Sequence, residues 1–452
     1  MAEDAAEPDP AAAMKGPAFL KLLGLAAIVG LVVSFAAWCF LELVNVMQDA
    51  IYDDLPDLLG FDHAPSWWAI PILIISGFAV AGAIVRLPGN GGHIPVRGLD
   101  ATPSMPADIP GIFLAAVAGI GFGIVLGPEA PLIGLGGALG ALLFKIAARD
   151  APAEAGELIA SSGIFAAISF LFGSPVLAAV LLIEVAGLDR QKTTLILIPG
   201  LLAAGIGSLV AVGMGSWTGV DTSNISLQLI SLSDFPRPTF VDFLWTVPLA
   251  AALAIGMHLI VRIGRVVEPR AIRKPFAVLP VVGAIVGVLA LVFAELSDHN
   301  FKDVLFSGQD SIGPIVADQA NWSLGALALL LALKGIGYGV SLGSFRGGPV
   351  FPALMLGGAA GIMASHLPGF DLAPAVAVGM GAGVVSMLRL PLSSVVLAVL
   401  LCSSAGVAGI GPLVIVGVVV ALLVTMSLPE PPAKAEGAAA AGPAPARAPA
   451  PA

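Results

Sequence analysis

From Phe19 to Met426 the chain is a succession of apolar runs separated by short polar or Gly/Pro-rich breaks. Phe19–Val44, Thr193–Val212 and Phe240–Val261 are long enough to cross a bilayer as helices, for which about 20 residues suffice. Others are shorter. Ile159–Phe172 and Val176–Val185 are parted only by Gly173-Ser174-Pro175, and Val376–Leu388 and Leu392–Ser403 only by Arg389-Leu390-Pro391. The runs do not alternate apolar and polar positions, which excludes a transmembrane barrel. The pattern predicts an all-α integral membrane protein with several broken helices.

The breaks repeat. Gly127-Pro128-Glu129-Ala130-Pro131 leads into Leu132 through Gly140, and Gly348-Pro349-Val350-Phe351-Pro352 leads into Ala353 through Gly361, at a constant offset of 348 − 127 = 221. The two shorter breaks repeat at 391 − 175 = 216. Two structural halves follow, about residues 100–212 and 325–426. Close packing of small residues accounts for Gly134, Gly136, Gly137 and Gly140. It does not account for proline at the same two places in both loops. Paired interrupted segments instead suggest inverted repeats meeting around a polar site, because irregular backbone at membrane depth is tolerated only beside a cavity or inside protein.

Composition agrees. Mean hydropathy is +1.00 and charged residues make up 11%, which rules out a soluble domain of this size. Residues 1–16 form an acidic, small-residue tail without the basic start of a secretory signal, and the first apolar run is too long for a signal core. Residues 17–427 form the membrane domain. Residues 428–452, almost all Pro, Ala, Glu, Lys and Gly, read as a disordered tail. Arg262, Arg265, Arg270, Arg273 and Lys274 cluster between two runs, while Ser216–Asp242 carries Asp221, Asp234 and Asp242 against Arg237 alone. The positive-inside rule therefore puts the N-terminus and the 262–274 loop in the cytoplasm and the 216–242 segment outside. The net charge of −10 gathers in tails and loops and suggests no nucleic-acid partner. Cys39 and Cys402, both in apolar runs, read as small buried hydrophobes rather than a disulfide.

Glu129 is the leading candidate for chemistry. It opens an apolar helix with no basic residue within ten positions. A carboxylate is costly in a bilayer, on the order of 2.5–3.5 kcal/mol at a helix centre, and less so at a helix N-terminus, where free N–H groups and the macrodipole favour an anion. The same place would hold a free anion once the side chain swings away, so a carboxylate competing with a permeant anion is a gate. The plainer alternative makes Glu129 a helix-start residue at the interface. Gly89-Asn90-Gly91-Gly92-His93-Ile94-Pro95, the first break in chain order, has glycines that can present N–H groups to an anion. Glu184 ends a short apolar helix and reads equally as a polar cap or as a functional carboxylate. Lys334, Arg346 and Arg389 flank the second-half breaks and read as snorkelling side chains. His93 alone is no metal site, no hydrolase triad stands at recognisable spacing, and no cofactor is implied. A buried acid at a helix start also argues against cation transport.

Taken in order, these breaks resemble the CLC family of chloride channels and proton-coupled chloride transporters. Gly91-Gly92-His93-Ile94-Pro95 resembles the family's Gly-Ser-Gly-Ile-Pro, and Gly127-Pro128-Glu129-Ala130-Pro131 its Gly-Lys/Arg-Glu-Gly-Pro. Lys334 through Gly348 resembles the approach to the third loop, and Gly348-Pro349-Val350-Phe351-Pro352 resembles Gly-x-Phe-x-Pro. The resemblance implies a homodimer in the cell membrane with one anion pathway per subunit and two inverted halves. It implies Glu129 as gating residue and Gly92, His93, Ile94, Val350 and Phe351 as anion-binding positions. The departures are specific. The family's serine is Gly92 here, the following glycine is His93, and the phenylalanine is Val350. Pro128 and Pro349 have no N–H to offer. The family's tyrosine ligand lies in a final helix, whereas this chain has only Tyr52 and Tyr338. The inner proton-transfer glutamate of the coupled members falls at Val185, with Glu184 one position earlier.

The expected function is a chloride-type anion channel or uncoupled anion transporter gated by Glu129, and not an enzyme. Two alternatives stand beside it: a proton/chloride antiporter with Glu184 on the proton path, and a membrane scaffold that no longer transports.

Overall fold

A computed structural model describes residues 16–148, 151–187, 190–218 and 230–429. Most of the 1–16 and 428–452 tails, and residues 219–229 of the segment expected outside, lie beyond the described residues. In the described residues fifteen helices follow one another without a strand. They are α1 (Pro17–Asp49), α2 (Ala69–Arg86), α3 (Ile109–Ile120), α4 (Glu129–Ala147), α5 (Ala153–Phe172), α6 (Pro175–Ala186), α7 (Arg190–Thr218) and α8 (Phe240–Arg273). Then come α9 (Pro275–Ser297), α10 (Gln309–Ala317), α11 (Leu324–Leu342), α12 (Val350–Ala364), α13 (Leu372–Leu388), α14 (Pro391–Leu401) and α15 (Val407–Ser427). Helix α1 runs on through a π-helical turn, Ala50–Asp54, into one further turn, Leu55–Leu58. Nine spans in the described residues are long and apolar enough to cross a membrane, which makes the chain a multi-pass membrane protein.

The repeat is visible in the helices and in how they pack. Helices α4, α5 and α6 correspond to α12, α13 and α14: the first helices start 350 − 129 = 221 residues apart and the last 391 − 175 = 216. Within each half the first two helices approach backbone to backbone. A methyl group on Gly136 or Gly163 would strike the carbonyl oxygen of the other, and so would one on Gly357 or Gly379. These glycines stand 357 − 136 = 221 and 379 − 163 = 216 apart, so each half is closed by the same notch. Small residues let helices approach this closely without a hydrophobic driving force in lipid.

The halves meet where their breaks meet. Gly127 N–H donates to the Gly348 carbonyl at 2.8 Å and Gly348 N–H to the Gly127 carbonyl at 2.5 Å, an isolated antiparallel bridge. Exchange of both bonds requires the two loops to run in opposite directions. Each loop enters its helix at once, so the inverted arrangement is fixed at this pair. Both helices start two residues earlier than the apolar runs suggest. Glu129 and Val350 thus become first residues, with Pro131 and Pro352 in the third position, where a missing N–H breaks no intrahelical bond.

Two side chains expected to snorkel are buried instead. Lys334 is fully buried on α11, and its Nζ donates to the carbonyls of Asp303 (2.9 Å), Val304 (3.3 Å), Leu305 (2.7 Å) and Phe306 (3.3 Å). The 300–308 segment folds over the lysine and supplies carbonyls in place of water. The same segment reaches the first half, where Phe306 N–H donates to Gly123 O at 3.0 Å. Lys334→Met leaves those carbonyls unpaired, at a cost of roughly 3 kcal/mol. A clear fall in the melting temperature of the purified protein checks this. Arg346 is the second correction, 6% exposed in the turn between α11 and α12. Cys402 is buried as expected, but Cys39 is exposed on α1.

Candidate functional site

Helix α12 begins with Pro349 as cap, so the N–H groups of Val350 and Phe351 have no intrahelical partner. Both point at one atom. Glu129 Oε1 accepts from Val350 N–H at 2.6 Å and from Phe351 N–H at 2.9 Å. The glutamate comes from the first residue of α4 and reaches across the bridge to the N-terminus of the equivalent helix in the other half. It is fully buried. Its other oxygen, Oε2, has no partner among the described residues. That oxygen lies where a side chain on Gly127 or Gly348 would have to be. A buried carboxylate is therefore held by two N–H donors and a helix dipole, with no ion pair among the described residues.

Several residues fix this seat. Tyr338 Oη, on α11, donates to the Pro349 carbonyl at 2.5 Å and sets the turn that aims Val350 and Phe351. The ring of Phe351 stacks on Phe172 at the end of α5, with centroids 5.6 Å apart, so its backbone serves the seat while its side chain serves the core. Tyr52 Oη donates to Phe122 O at 2.8 Å and ties the loop before Glu129 to the π-helical turn of α1. Both tyrosine hydroxyls are thus engaged by backbone carbonyls.

Next to the seat lies a cavity of about 260 Å³. Gly92 and His93 of the first break form one wall, Ala130 and Pro131 of α4 another, and Arg346 and Gly347 a third. The structure thus brings together Glu129, Val350 and Phe351, and puts Gly92 and His93 one step away. Ile94 is half-buried but is not part of the cavity wall. His93 Nε2 lies 2.8 Å from Gly98 O. Its pKa is lowered from 6.5 chiefly by burial, so the ring favours its neutral form.

Glu184 is elsewhere. Its Oε1 accepts from Leu392 N–H at 2.9 Å, and its Oε2 from Ser393 N–H at 2.8 Å and Ser393 Oγ at 2.6 Å. It caps the N-terminus of α14, joining the last helix of one half to the first turn of its counterpart. Val185 beside it lines a larger cleft, about 760 Å³, between α4, α5, α6 and α7, away from Glu129. Sequence reasoning missed Tyr338, although a tyrosine in an apolar run four residues after a lysine was a signal for a buried polar contact. The burial of Arg346 beside the cavity was likewise hidden by the snorkelling reading.

The fold and the site define a polytopic helical membrane protein whose two inverted halves meet where the N-terminus of α12 holds the buried carboxylate that opens α4. Residues 102–426 match the family described as Voltage gated chloride channel, and the chain belongs to that family, whose members move anions across membranes and are not enzymes. Among curated relatives, YfeO of Escherichia fergusonii is 31% identical over 362 residues, 77% of this chain and 80% of its own length. YfeO of Salmonella schwarzengrund is 29% identical over 359 residues, 76% and 80% of the two chains. Both carry a provisional designation as ion-transport proteins. The crystal structure of a slow cyanobacterial Cl⁻/H⁺ antiporter shares the fold at a TM-score of 0.71 with 20% identity, covering 90% of this chain and 94% of that one. A CLC-type fluoride/proton antiporter shares it at 0.65 with 17% identity, covering 90% and 95%.

Proposed function

We propose that this chain conducts a small inorganic anion of the chloride class without tight proton coupling, gated by the Glu129 carboxylate. The observation that carries the reading is the double acceptance at Glu129 Oε1 from Val350 and Phe351 N–H. Two convergent N–H groups at a helix start suit any monovalent anion, and here a side chain occupies them. Ionised, Glu129 blocks the seat; protonated, it loses its charge and yields the seat to a permeant ion. The unpartnered Oε2 favours release, because a polar atom left unpaired in the interior weakens the hold on the whole group. By resemblance, the working unit is a homodimer in the plasma membrane; the basic cluster at 262–274 puts the N-terminus in the cytoplasm.

A proton/anion antiporter is the second reading, favoured by the two antiporters that share the fold. The engagement of Glu184 at α14 weighs against a proton path through that residue. The test is the reversal potential of the purified protein in liposomes under opposed chloride and proton gradients. Uncoupled conduction sets it at the chloride equilibrium potential; a shift with the proton gradient supports antiport. Absence of chloride efflux at every pH would call for fluoride and nitrate in its place, and absence of efflux of all three would overturn the pathway and leave the scaffold reading. Glu184→Ala is expected to leave the reversal potential in place and to lower stability by about 1–2 kcal/mol, as loss of a helix cap does.

A further inference from the structure

The wall of the small cavity holds a charge that the gate does not use. Arg346 is 6% exposed. Its Nε donates to Asn90 O at 3.2 Å, and its Nη1 to Ser344 O and Phe345 O, each at 3.2 Å. Nη2 has no hydrogen-bond partner, and Arg346 makes no ion pair, among the described residues. An arginine keeps its proton under all conditions relevant to a protein. Burying such a charge costs several kcal/mol unless an opposite charge accompanies it. Three carbonyls at 3.2 Å offset part of that cost. The Glu268 carboxylate also attracts the guanidinium, but without direct contact, and it is ion-paired at 2.6 Å to Arg97, whose charge opposes that of Arg346.

The first break folds around this side chain. A methyl on Gly91 would lie 3.3 Å from Arg346 Cγ, and Asn90 supplies one of the carbonyls. The cavity it faces is polar on the other sides, with Ser104, Thr102, Asp100, Asp108 and neutral His93. The two carboxylates are not its counter-ions. Asp100 is exposed and accepts from Thr102 N–H at 2.8 Å, and half-buried Asp108 accepts from Met105 N–H at 3.1 Å. Both hold their own loop. The deepest charge in the cavity is the arginine, and Ala130 and Gly347, chain neighbours of Glu129 and Gly348, share its wall.

We infer that Arg346 is an anion-binding residue of the pathway, holding a halide or nitrate in the cavity one step from the Glu129 seat. The inference rests on the anion-pathway reading but not on Glu129 being the gate. It also answers a question raised by the sequence: the first break has lost its serine, and a fixed cation from the opposite half supplies the missing attraction. A guanidinium binds a bare anion through charge-assisted N–H donors and is less strongly hydrated than an ammonium, so it gives up water more readily.

The test compares wild type with Arg346→Lys and Arg346→Gln in liposome efflux at several chloride concentrations and pH values. Arg346→Gln raises the half-saturating chloride concentration about tenfold or more, the factor set by one lost charge-assisted contact. Arg346→Lys recovers much of that loss, and the pH profile moves in neither. A purely structural arginine would lower the amount of folded protein without changing half-saturation. Unchanged half-saturation in a folded, conducting Arg346→Gln overturns the inference while leaving the pathway intact. No efflux of chloride, fluoride or nitrate in wild type overturns the pathway itself. Should Arg346→Gln fail to fold, wild-type crystals soaked in bromide decide the matter: an anomalous peak within reach of Arg346 Nη2 supports the assignment, and a cavity without one overturns it.

Discussion

Glu129→Gln raises anion efflux at neutral pH and abolishes its dependence on pH. In the wild-type protein the carboxylate accepts two N–H bonds at the start of α12 with the full advantage of its charge. A glutamine oxygen can accept the same bonds, but as a neutral group, and a hydrogen bond to a charged group is worth roughly 1–2 kcal/mol more than a neutral one. The seat is therefore vacated about ten times more readily or better. The sign of the pH effect follows from the same contact. Lower pH protonates the carboxyl and opens the seat, and higher pH ionises it and closes the seat. On the alkaline side of the titration, wild-type efflux falls up to about tenfold per pH unit, with the protonated fraction. The glutamine has no proton to gain or lose. Efflux from Glu129→Gln as pH-sensitive as from wild type would assign the titration to another group. His93 is a poor substitute, because burial favours its neutral form.

Gly348→Ala does the same thing by steric means. A methyl group there lies in the space taken by the Glu129 carboxylate, and so does one on Gly127. Neither glycine adopts a positive φ, so alanine is acceptable to the backbone at both places. The bridge between the two residues uses only N–H and C=O groups, which alanine keeps. The carboxylate must therefore leave its seat, and the variant conducts at neutral pH with a flattened pH profile, within about a factor of a few of Glu129→Gln. Adding Glu129→Gln to Gly348→Ala changes little, because substitutions acting on one contact are not additive. Thermal unfolding of the purified variant separates this outcome from loss of fold. A stable Gly348→Ala that stays closed at neutral pH would mean that the carboxylate is not where the path is blocked.

The halves and their meeting point were legible in the sequence because a repeated Gly-Pro break at a fixed offset has few other physical causes. That regularity, with the apolar pattern, is enough to expect a multi-pass helical protein, and the described residues hold nine membrane-capable spans, with Glu129 as the first residue of α4. Partners across the halves were not legible. Glu129 and Phe351 lie 222 positions apart, and Glu184 and Ser393 209 apart. No local rule pairs them: the sequence reads Glu184 equally as a cap facing water or as a functional carboxylate, whereas it caps a helix of the other half. Lys334 and Arg346 show a different limit. A long cationic side chain beside a break usually reaches water, but Lys334 lies in the middle of α11 and Arg346 in the turn after it, and the chain folds carbonyls over both heads. Which outcome wins depends on residues 300–308 and on Asn90, remote in sequence from the cations they serve.

The central claim is that the α12 N-terminus is an anion position which Glu129 occupies when ionised. The most direct measurement is anomalous diffraction from crystals soaked in bromide at neutral pH, for wild type and for Glu129→Gln. The account predicts a bromide peak within hydrogen-bonding reach of Val350 N–H and Phe351 N–H in the variant, and a glutamate oxygen at that point in wild type. A conducting variant with no bromide at those two N–H groups would contradict it.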